Sequence, residues 1–169
     1  MNVNVKILAF LLMMLPGVSF AAVDMFLKID NVQGESEDDT HRNEIDVLAW
    51  SWGSSSNGRS TCIQDVGVTK WVDLSSPTLL MGQIMGKVYD EATLTVRKAG
   101  EQPLEYIVIN FKNVSITSIS TGGSGGEDRL TENISFNFEN ATYTYTPQNE
   151  DGSAGAEVEA EIYPSPRCK

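Results

Sequence analysis

The 169-residue chain contains little of the chemistry on which enzymes and metal sites depend. It has one histidine, His41, and two cysteines, Cys62 and Cys168. One histidine cannot build a typical zinc site. A serine nucleophile of the G-x-S-x-G type needs a histidine downstream as its base, and His41 lies upstream of the match that this chain contains. We therefore expect no enzyme activity, no metal site and no cofactor.

Basic residues are also few. The chain has 12 Lys and Arg residues against 23 Asp and Glu residues, which gives a formal net charge of −11 at pH 7. Nucleic acids and anionic membrane surfaces attract proteins through the positive charge of Lys and Arg. The charge balance therefore argues against nucleic acid and membrane as partners.

The N-terminal segment "MNVNVKILAFLLMMLPGVSFA" has an apolar run at residues 7–15, preceded by Lys6. This run is much shorter than the roughly 20 residues that a membrane-spanning helix needs. With Ser19 and Ala21 as the small residues of a cleavage site, the segment predicts a secretory signal peptide over residues 1–21. An uncleaved membrane anchor is the alternative. We expect residues 22–169 to form one domain with an acidic tail from about residue 147, and a secreted or periplasmic location.

The two cysteines allow one internal pairing. An exported chain meets an oxidising compartment, so we hypothesise a disulfide between Cys62 and Cys168 that holds the acidic tail. Two free thiols and a bridge between subunits are the alternatives.

Apolar residues recur with a period of two along most of the chain, which is typical of half-buried strands. The second strand has Ile45, Val47 and Ala49 on one face and Leu48, Trp50 and Trp52 on the other. It is therefore predicted to be apolar on both faces, and central or packed between layers. "GSSSNGRS" is predicted to be a turn. The other predicted strands are marked by Val23, Met25, Leu27 and Ile29; by Val66 and Val68; by Ala92, Leu94 and Val96; by residues 104–120; and by residues 130–145.

Helical spacing appears once, in "DLSSPTLLMGQIMGKVYDE". Ser76 is predicted to cap this helix, with Pro77 at its first position. An apolar stripe is expected to pack on the sheet; its members are Leu80, Met81, Ile84, Met85 and Val88.

Two long strands change the parity of their apolar face. Phe111 is odd-numbered whereas Val114 is even, and a second change falls around Glu139 and Asn140. A β-bulge produces such a change, and two long bulged strands favour a coiled sheet or barrel.

The segment "STGGSGGEDRLTEN" matches G-x-S-x-G at Gly122, Ser124 and Gly126. That motif needs a strand-to-helix elbow, but strand periodicity follows it here. A phosphate-binding loop is also excluded, because Glu127 and Asp128 stand where a lysine is required. The loop carries no recognisable catalytic chemistry.

Two further groups of residues have side chains suited to binding, one to a metal ion and one to a sugar. The acidic segment with Glu37, Asp38, Asp39 and His41 has hard-ion ligand types, but its spacing does not fit an EF-hand and it is expected to be a solvated loop. The aromatic pairs Trp50 with Trp52 and Tyr143 with Tyr145 could stack on a sugar, with core packing as the default.

Four stretches resemble the Hcp family, the exported tube-forming proteins of bacterial type VI secretion systems. They are "AVDMFLKIDNVQGESEDDTHRNEIDVLAWSWG", "SSPTLLMGQIMGK", "ATLTVRKAG" and above all "SITSISTGGSGGEDRLTENISFNF". The similarity extends over roughly residues 22–145. The resemblance implies a mainly β fold, with a two-sheet β-barrel-like domain and one flanking α-helix.

The resemblance also implies a homo-hexameric ring, stacked rings, and small effector proteins held in the channel. Spike and sheath components are further implied partners. The residues that would face the channel and its cargo are Gly122, Gly123, Ser124, Gly125 and Gly126.

Two features depart from the family pattern, namely the signal peptide and the closing segment "AEVEAEIYPSPRCK". An exported binding module for a glycan or host protein is therefore kept as the alternative function.

Overall fold

The computed structural model describes residues 23–100 and 103–164. The predicted signal peptide and Cys168 lie outside these residues, so the signal peptide and the Cys62–Cys168 disulfide stay predictions. The described part consists of β1 (Val23–Ile29), β2 (Ile45–Ser51), β3 (Ser54–Ser56), β4 (Thr61–Ile63), β5 (Val66–Trp71), helix α1 (Ser75–Ile84), β6 (Val88–Lys98), β7 (Leu104–Thr121), β8 (Thr131–Asn137), β9 (Asn140–Tyr145) and β10 (Val158–Ile162).

Six of the strands close into an antiparallel β-barrel. Their order is β7, β6, β1, β2, β5 and β8, and a direct pairing of β7 with β8 completes the circle. Strands β9 and β10 extend the sheet from β7, while β3 and β4 form a separate small sheet. The mainly β fold with one flanking helix in the described residues confirms the predicted fold class.

The apolar side chains of the period-two pattern fill the interior of the barrel. Leu27 lies opposite Leu94, and Ile29 lies opposite Ala92, so the inward residues of β1 and β6 meet in register. All four are buried. Burying one such aliphatic side chain contributes about 1.5–3 kcal/mol.

Strand β2 differs from its prediction. Ile45 and Val47 point into the core, but the pairing with β5 shifts between Val47 and Ala49, so that Trp50 lies opposite the buried Val68. Leu48 is the extra residue and is exposed. The strand is not apolar on both faces; a bulge changes the parity of a single inward face.

The predicted parity change near Lys112 and Asn113 is confirmed, but the β-bulge predicted to cause it is wrong, because the register of β7 with its neighbours does not shift there. The second predicted long strand consists of two strands, β8 and β9. Phe111 and Val114 are both fully buried, and Asn113 between them has a left-handed φ of 52°. The pairing of β6 with β7 runs without a shift from Val88↔Ser115 to Val96↔Ile107. The two strands therefore bend together at this point.

The partner on the other side of β7 is interrupted at the same place. Strand β8 ends at Asn137 and β9 begins at Asn140, and the amide of Glu139 donates to the Lys112 carbonyl at 2.9 Å. The two strands otherwise follow β7 along one line, with Ser115↔Asn137 and Lys112↔Asn140. The bend is thus shared by three neighbouring parts of the sheet.

The helix is present, but its predicted cap and buried stripe are wrong. Helix α1 starts at Ser75, and Leu74 occupies the N-cap position without a side-chain cap. The Asp73 carboxylate accepts hydrogen bonds from the amide and hydroxyl of Ser75. Ser76 instead accepts from the Asp73 amide at 3.0 Å and donates to Glu132 at 2.6 Å.

The inward side of α1 is formed by Leu79 and Gly82. Val88, which was assigned to the helix stripe, is the first residue of β6. No helix among residues 23–100 and 103–164 combines the length and hydropathy that crossing a membrane requires.

The serine-rich turn is part of a small hairpin that the sequence did not predict. Strands β3 and β4 pair from Ser54↔Ile63 to Ser56↔Thr61. The Asn57 carboxamide oxygen accepts from the amides of Arg59 and Ser60 at 3.0 Å, which fixes the turn between them.

Candidate functional site

The glycine loop (residues 122–130) joins β7 to β8 and is exposed throughout. The chain enters it from a strand and leaves it into a strand, so the elbow that the G-x-S-x-G chemistry needs is not formed. His41 contacts Phe26, Glu44 and Glu105 and is committed to another part of the barrel. The geometry therefore gives Ser124 no histidine base.

At two positions of the loop, the local geometry favours glycine over other residues. A Cβ atom on Gly123 would lie 2.2 Å from the Leu130 side chain, and Gly126 has a φ of 154°. Gly122 and Gly125 have open space around them. The loop backbone therefore folds back on Leu130, while Ser124 stands at its exposed tip.

A surface of short, uncharged side chains lies next to the base of this loop. One row crosses four strands from Ser51 to Gly67, Ser135 and Ser118, and the next runs from Ala49 to Thr69, Asn133 and Ser120. We call these eight residues the polar face. They occupy the outward positions of β2, β5, β8 and β7, opposite the inward apolar residues.

Direct contacts between neighbouring strands order each row of the polar face. The Thr69 hydroxyl donates to the Asn133 carboxamide oxygen at 2.7 Å. A Cβ atom at Gly67 would lie 3.0 Å from the Ser51 hydroxyl, so glycine suits this close approach. Sequence reasoning did not identify this face. Its signal was the recurrence of small residues at the outward positions, which becomes visible only once the strand register is known.

Strand β8, which follows the glycine loop, is held at its start by a buried ionic cluster. Lys70 is completely buried, and its Nζ lies 2.8 Å from Glu132 Oε1 and 2.7 Å from Asp73 Oδ1. The same ammonium donates to the Trp71 carbonyl at 2.6 Å. The Val72 amide also donates to the Leu130 carbonyl at 2.9 Å. These bonds join β5, β8 and the start of α1.

The aromatic pairs are not arranged as a sugar-binding platform. Trp52 packs edge-on against Phe111 and Phe138, at 5.7 and 5.4 Å between ring centroids, and its Nε1 donates to the Gln64 carbonyl. Trp50 also packs against the core. Burial raises the pKa of Tyr143, whereas Tyr145 is 43% exposed. Core packing, the default expectation, describes three of the four rings.

The acidic segment is solvated only in part: Glu37 and Asp39 are exposed as expected, whereas Asp38 and His41 are held against the barrel. Asp38 accepts from the amides of Thr40 and His41 and forms an ion pair with Arg97, while His41 is buried. Across residues 23–100 and 103–164, no group of three or more His, Cys, Asp or Glu side chains is placed to hold a metal ion.

Helix α1 presents an apolar surface to solvent, which we call the α1 face. Its members are Leu80 (41% exposed), Met81 (53%), Ile84 (66%), Met85 (75%) and the adjoining Val88 (53%). These are the residues that the sequence pattern placed in the core. The pattern located an amphipathic helix, but it could not show which side the barrel covers.

The described residues thus form a closed β-barrel with an uncharged polar face, an exposed apolar helical face and a glycine loop between two strands. Residues 26–145 match the family described as "Type VI secretion system effector, Hcp". The chain therefore belongs to the Hcp family of type VI secretion proteins, as its sequence resemblance predicted.

Individual relatives agree with this assignment. Protein hcp1 of Pseudomonas aeruginosa is 51% identical over 143 residues, which cover 78% of this chain and 88% of that protein. The crystal structure of a type VI secretion system effector from Yersinia pestis has a TM-score of 0.73 at 36% identity and covers 83% of this chain and 99% of its own. Hcp1 from Salmonella typhimurium has a TM-score of 0.73 at 34% identity, covering 85% and 95% respectively.

Proposed function

We propose that this protein is an exported structural and carrier subunit of a type VI secretion system. Six copies close into a ring, rings stack into a tube, and small effector proteins are held in the channel. The family membership supports a role in this secretion system. The polar face supports a channel wall that contacts other proteins. The effector and any spike or sheath component are its partners in this proposal.

The polar face carries the proposal because its chemistry differs from that of the whole chain. The protein has a net charge of −11, yet the eight residues in the two rows across four strands include no charged side chain. A wall without charges or large side chains can contact different cargo proteins without binding any of them too tightly to release. Strong fixed charge would instead select cargo by its charge.

The glycine loop extends this wall. Ser120 belongs to the polar face, and the chain enters residues 122–126 directly after β7 ends at Thr121. Gly122, Gly123, Ser124, Gly125 and Gly126 would therefore lie at the edge of the channel. Ser124 offers a hydroxyl group that can donate to cargo or accept from it.

The α1 face supports assembly into a larger particle. Its five large apolar side chains, on α1 and at the start of β6, are exposed to solvent. Contiguous apolar surface on a soluble protein commonly marks a contact with another protein. In the assembled system a neighbouring copy or another component would cover this face.

The ring is tested by size-exclusion chromatography with light scattering on residues 22–169, together with negative-stain imaging. We expect the mass of a hexamer and annular particles, under oxidising and reducing conditions alike. Isolated monomers at every concentration from low to high micromolar would contradict the proposal.

The cargo role is tested by Ser124→Gln. The larger side chain should leave the ring intact and lower the amount of effector that the ring retains in a pull-down. Ser55→Gln is the matched control, because Ser55 is also exposed but belongs to the β3–β4 hairpin. Equal effector retention by both variants would reject the role of Ser124.

A further inference from the structure

A buried histidine fastens the long connection between β1 and β2 to the outside of the barrel. We call this connection, residues 30–44, the clasp loop. His41 is only 7% exposed, and its ring stacks on Phe26 of β1 with 4.2 Å between centroids and 10° between planes. The loop is thus held by a titratable group that the proposed function does not use.

Both ring nitrogens of His41 face carboxylates. Nδ1 lies 2.9 Å from Glu44 Oε2, and Nε2 lies 3.1 Å from Glu105 Oε1 at the start of β7. An ionised carboxylate only accepts hydrogen bonds, and a neutral imidazole carries only one N–H. The charged imidazolium alone can donate to both carboxylates at once.

We propose that His41 is a protonation-controlled clasp. In the imidazolium form it joins Glu44 of the loop to Glu105 of the barrel, and after losing its proton it can keep only one of these bonds. The link between the clasp loop and β7 is therefore weaker when the ring is neutral than when it is charged.

The charged groups around the clasp come from four parts of the structure. The loop contributes Asp38 and Glu44, β1 contributes Asp24, β7 contributes Glu105, and β6 contributes the single cation Arg97. Arg97 stands over the Phe26 ring at 5.0 Å from its centroid. Arg97 pairs with Asp24 and Asp38, so the imidazolium of His41 is the cation that faces Glu44 and Glu105.

A second attachment keeps the loop in place when His41 is neutral. The hydrogen bond from Arg97 holds the pKa of Asp38 well below its usual range, against a smaller opposing effect of burial, and the same contact raises the pKa of Arg97. A lowered carboxyl pKa means that this ion pair is intact above the unfolded pKa of Asp38 and is lost only in strong acid. The Arg97–Asp38 attachment therefore does not depend on the charge of His41.

Hydrogen exchange measured on the whole protein tests the clasp. Three amide bonds close the loop: Gly34 N to Asn43 O at 2.8 Å, Ser36 N to Glu44 O at 3.0 Å, and Asn43 N to Ser36 O at 2.9 Å. After correction for intrinsic exchange rates, we expect their protection to fall about tenfold between about pH 5 and 8, as the loss of one charge-assisted hydrogen bond implies. Protection that stays constant over this range would overturn the proposal.

Two variants and a direct measurement separate the clasp from a general change in stability. Glu105→Gln and His41→Gln should each remove the pH dependence, while amides in β6 and β7 keep their protection. Nitrogen-15 NMR of the single histidine in the wild-type protein should show both ring nitrogens protonated at about pH 5. A neutral ring at that pH would refute the clasp even if a variant failed to fold. None of these readings depends on ring formation.

Discussion

At the scale of single residues, Lys70 is a cation that the described structure buries completely. Its ammonium is completely out of solvent and is matched by two carboxylates that are themselves nearly buried. Such pairs add little when intact, because desolvation offsets their attraction. Removing one member is costly, since the remaining charges are left buried without a partner.

We therefore expect Lys70→Met to lower the free energy of unfolding by about 3–5 kcal/mol. Methionine fills a similar volume but leaves Glu132 and Asp73 without their cation. Urea unfolding followed by tryptophan fluorescence measures the loss.

Ser76→Ala is the control for this variant. Ser76 Oγ contacts the same Glu132 oxygen at 2.6 Å, but it is neutral, so its loss should cost only about 1 kcal/mol. Equal losses for the two variants would show that charge compensation is not what Lys70 provides.

This residue-level network could not be predicted from the sequence. Lys70 and Glu132 are 62 positions apart and meet only because β5 and β8 pair with Lys70 opposite Glu132. In the strand pattern Lys70 occupies the inward parity of Val66 and Val68, and that position was its only available signal. The contacts of His41 and Arg97 could not be predicted for the same reason, since they join segments that are far apart in the sequence.

At the scale of elements, α1 depends on one close contact with the barrel. Tyr89 of β6 is buried, and its hydroxyl presses against Gly82, where a Cβ atom would lie only 2.1 Å away. Within the described residues this hydroxyl has no hydrogen-bond partner. Burial also raises the pKa of Tyr89. The helix thus sits as close to the sheet as glycine allows.

Gly82→Ala should consequently destabilise the protein by about 1–3 kcal/mol, because the methyl group overpacks this contact. Tyr89→Phe alone should cost little, since it removes a hydroxyl that makes no bond. In the double variant, part of the alanine cost should be recovered, and thermal unfolding of the four proteins measures the coupling. Strictly additive effects would show that the two residues do not press on each other.

The sequence predicted the strands better than it predicted the helix. Period-two alternation located the barrel strands. The parity change between Phe111 and Val114 correctly predicted that the inward side of β7 changes there. The same reasoning misjudged α1, because a helix over a barrel end needs only Leu79 and Gly82 inward. An apolar stripe was read as core, although in an assembling protein it can equally be surface.

At the scale of the whole molecule, charge opposes assembly. Each chain has a net charge of −11, so the six copies of the proposed ring would repel one another unless salt screens them. We expect the dissociation constant of the ring to fall at least about threefold between about 20 mM and 150 mM NaCl. Dilution experiments followed by light scattering measure this change.

The opposite salt dependence would be informative. If salt weakened the ring, specific ion pairs between subunits would outweigh the overall repulsion. The sequence supported this prediction through composition alone. The polar face could not be predicted in this way, because its residues come from four strands and meet only through the pairing of those strands.

The barrel closes on itself, and strand β10 remains at the outer end of the described sheet. Its alternating residues Glu159 and Glu161 make this edge unattractive to another copy. In an antiparallel pairing centred on Ala160, each Glu159 would face a Glu161, and a parallel stack would set glutamate against glutamate. Like charges directly opposite each other destabilise strand pairing, so this border resists amyloid-like growth even where copies are crowded together.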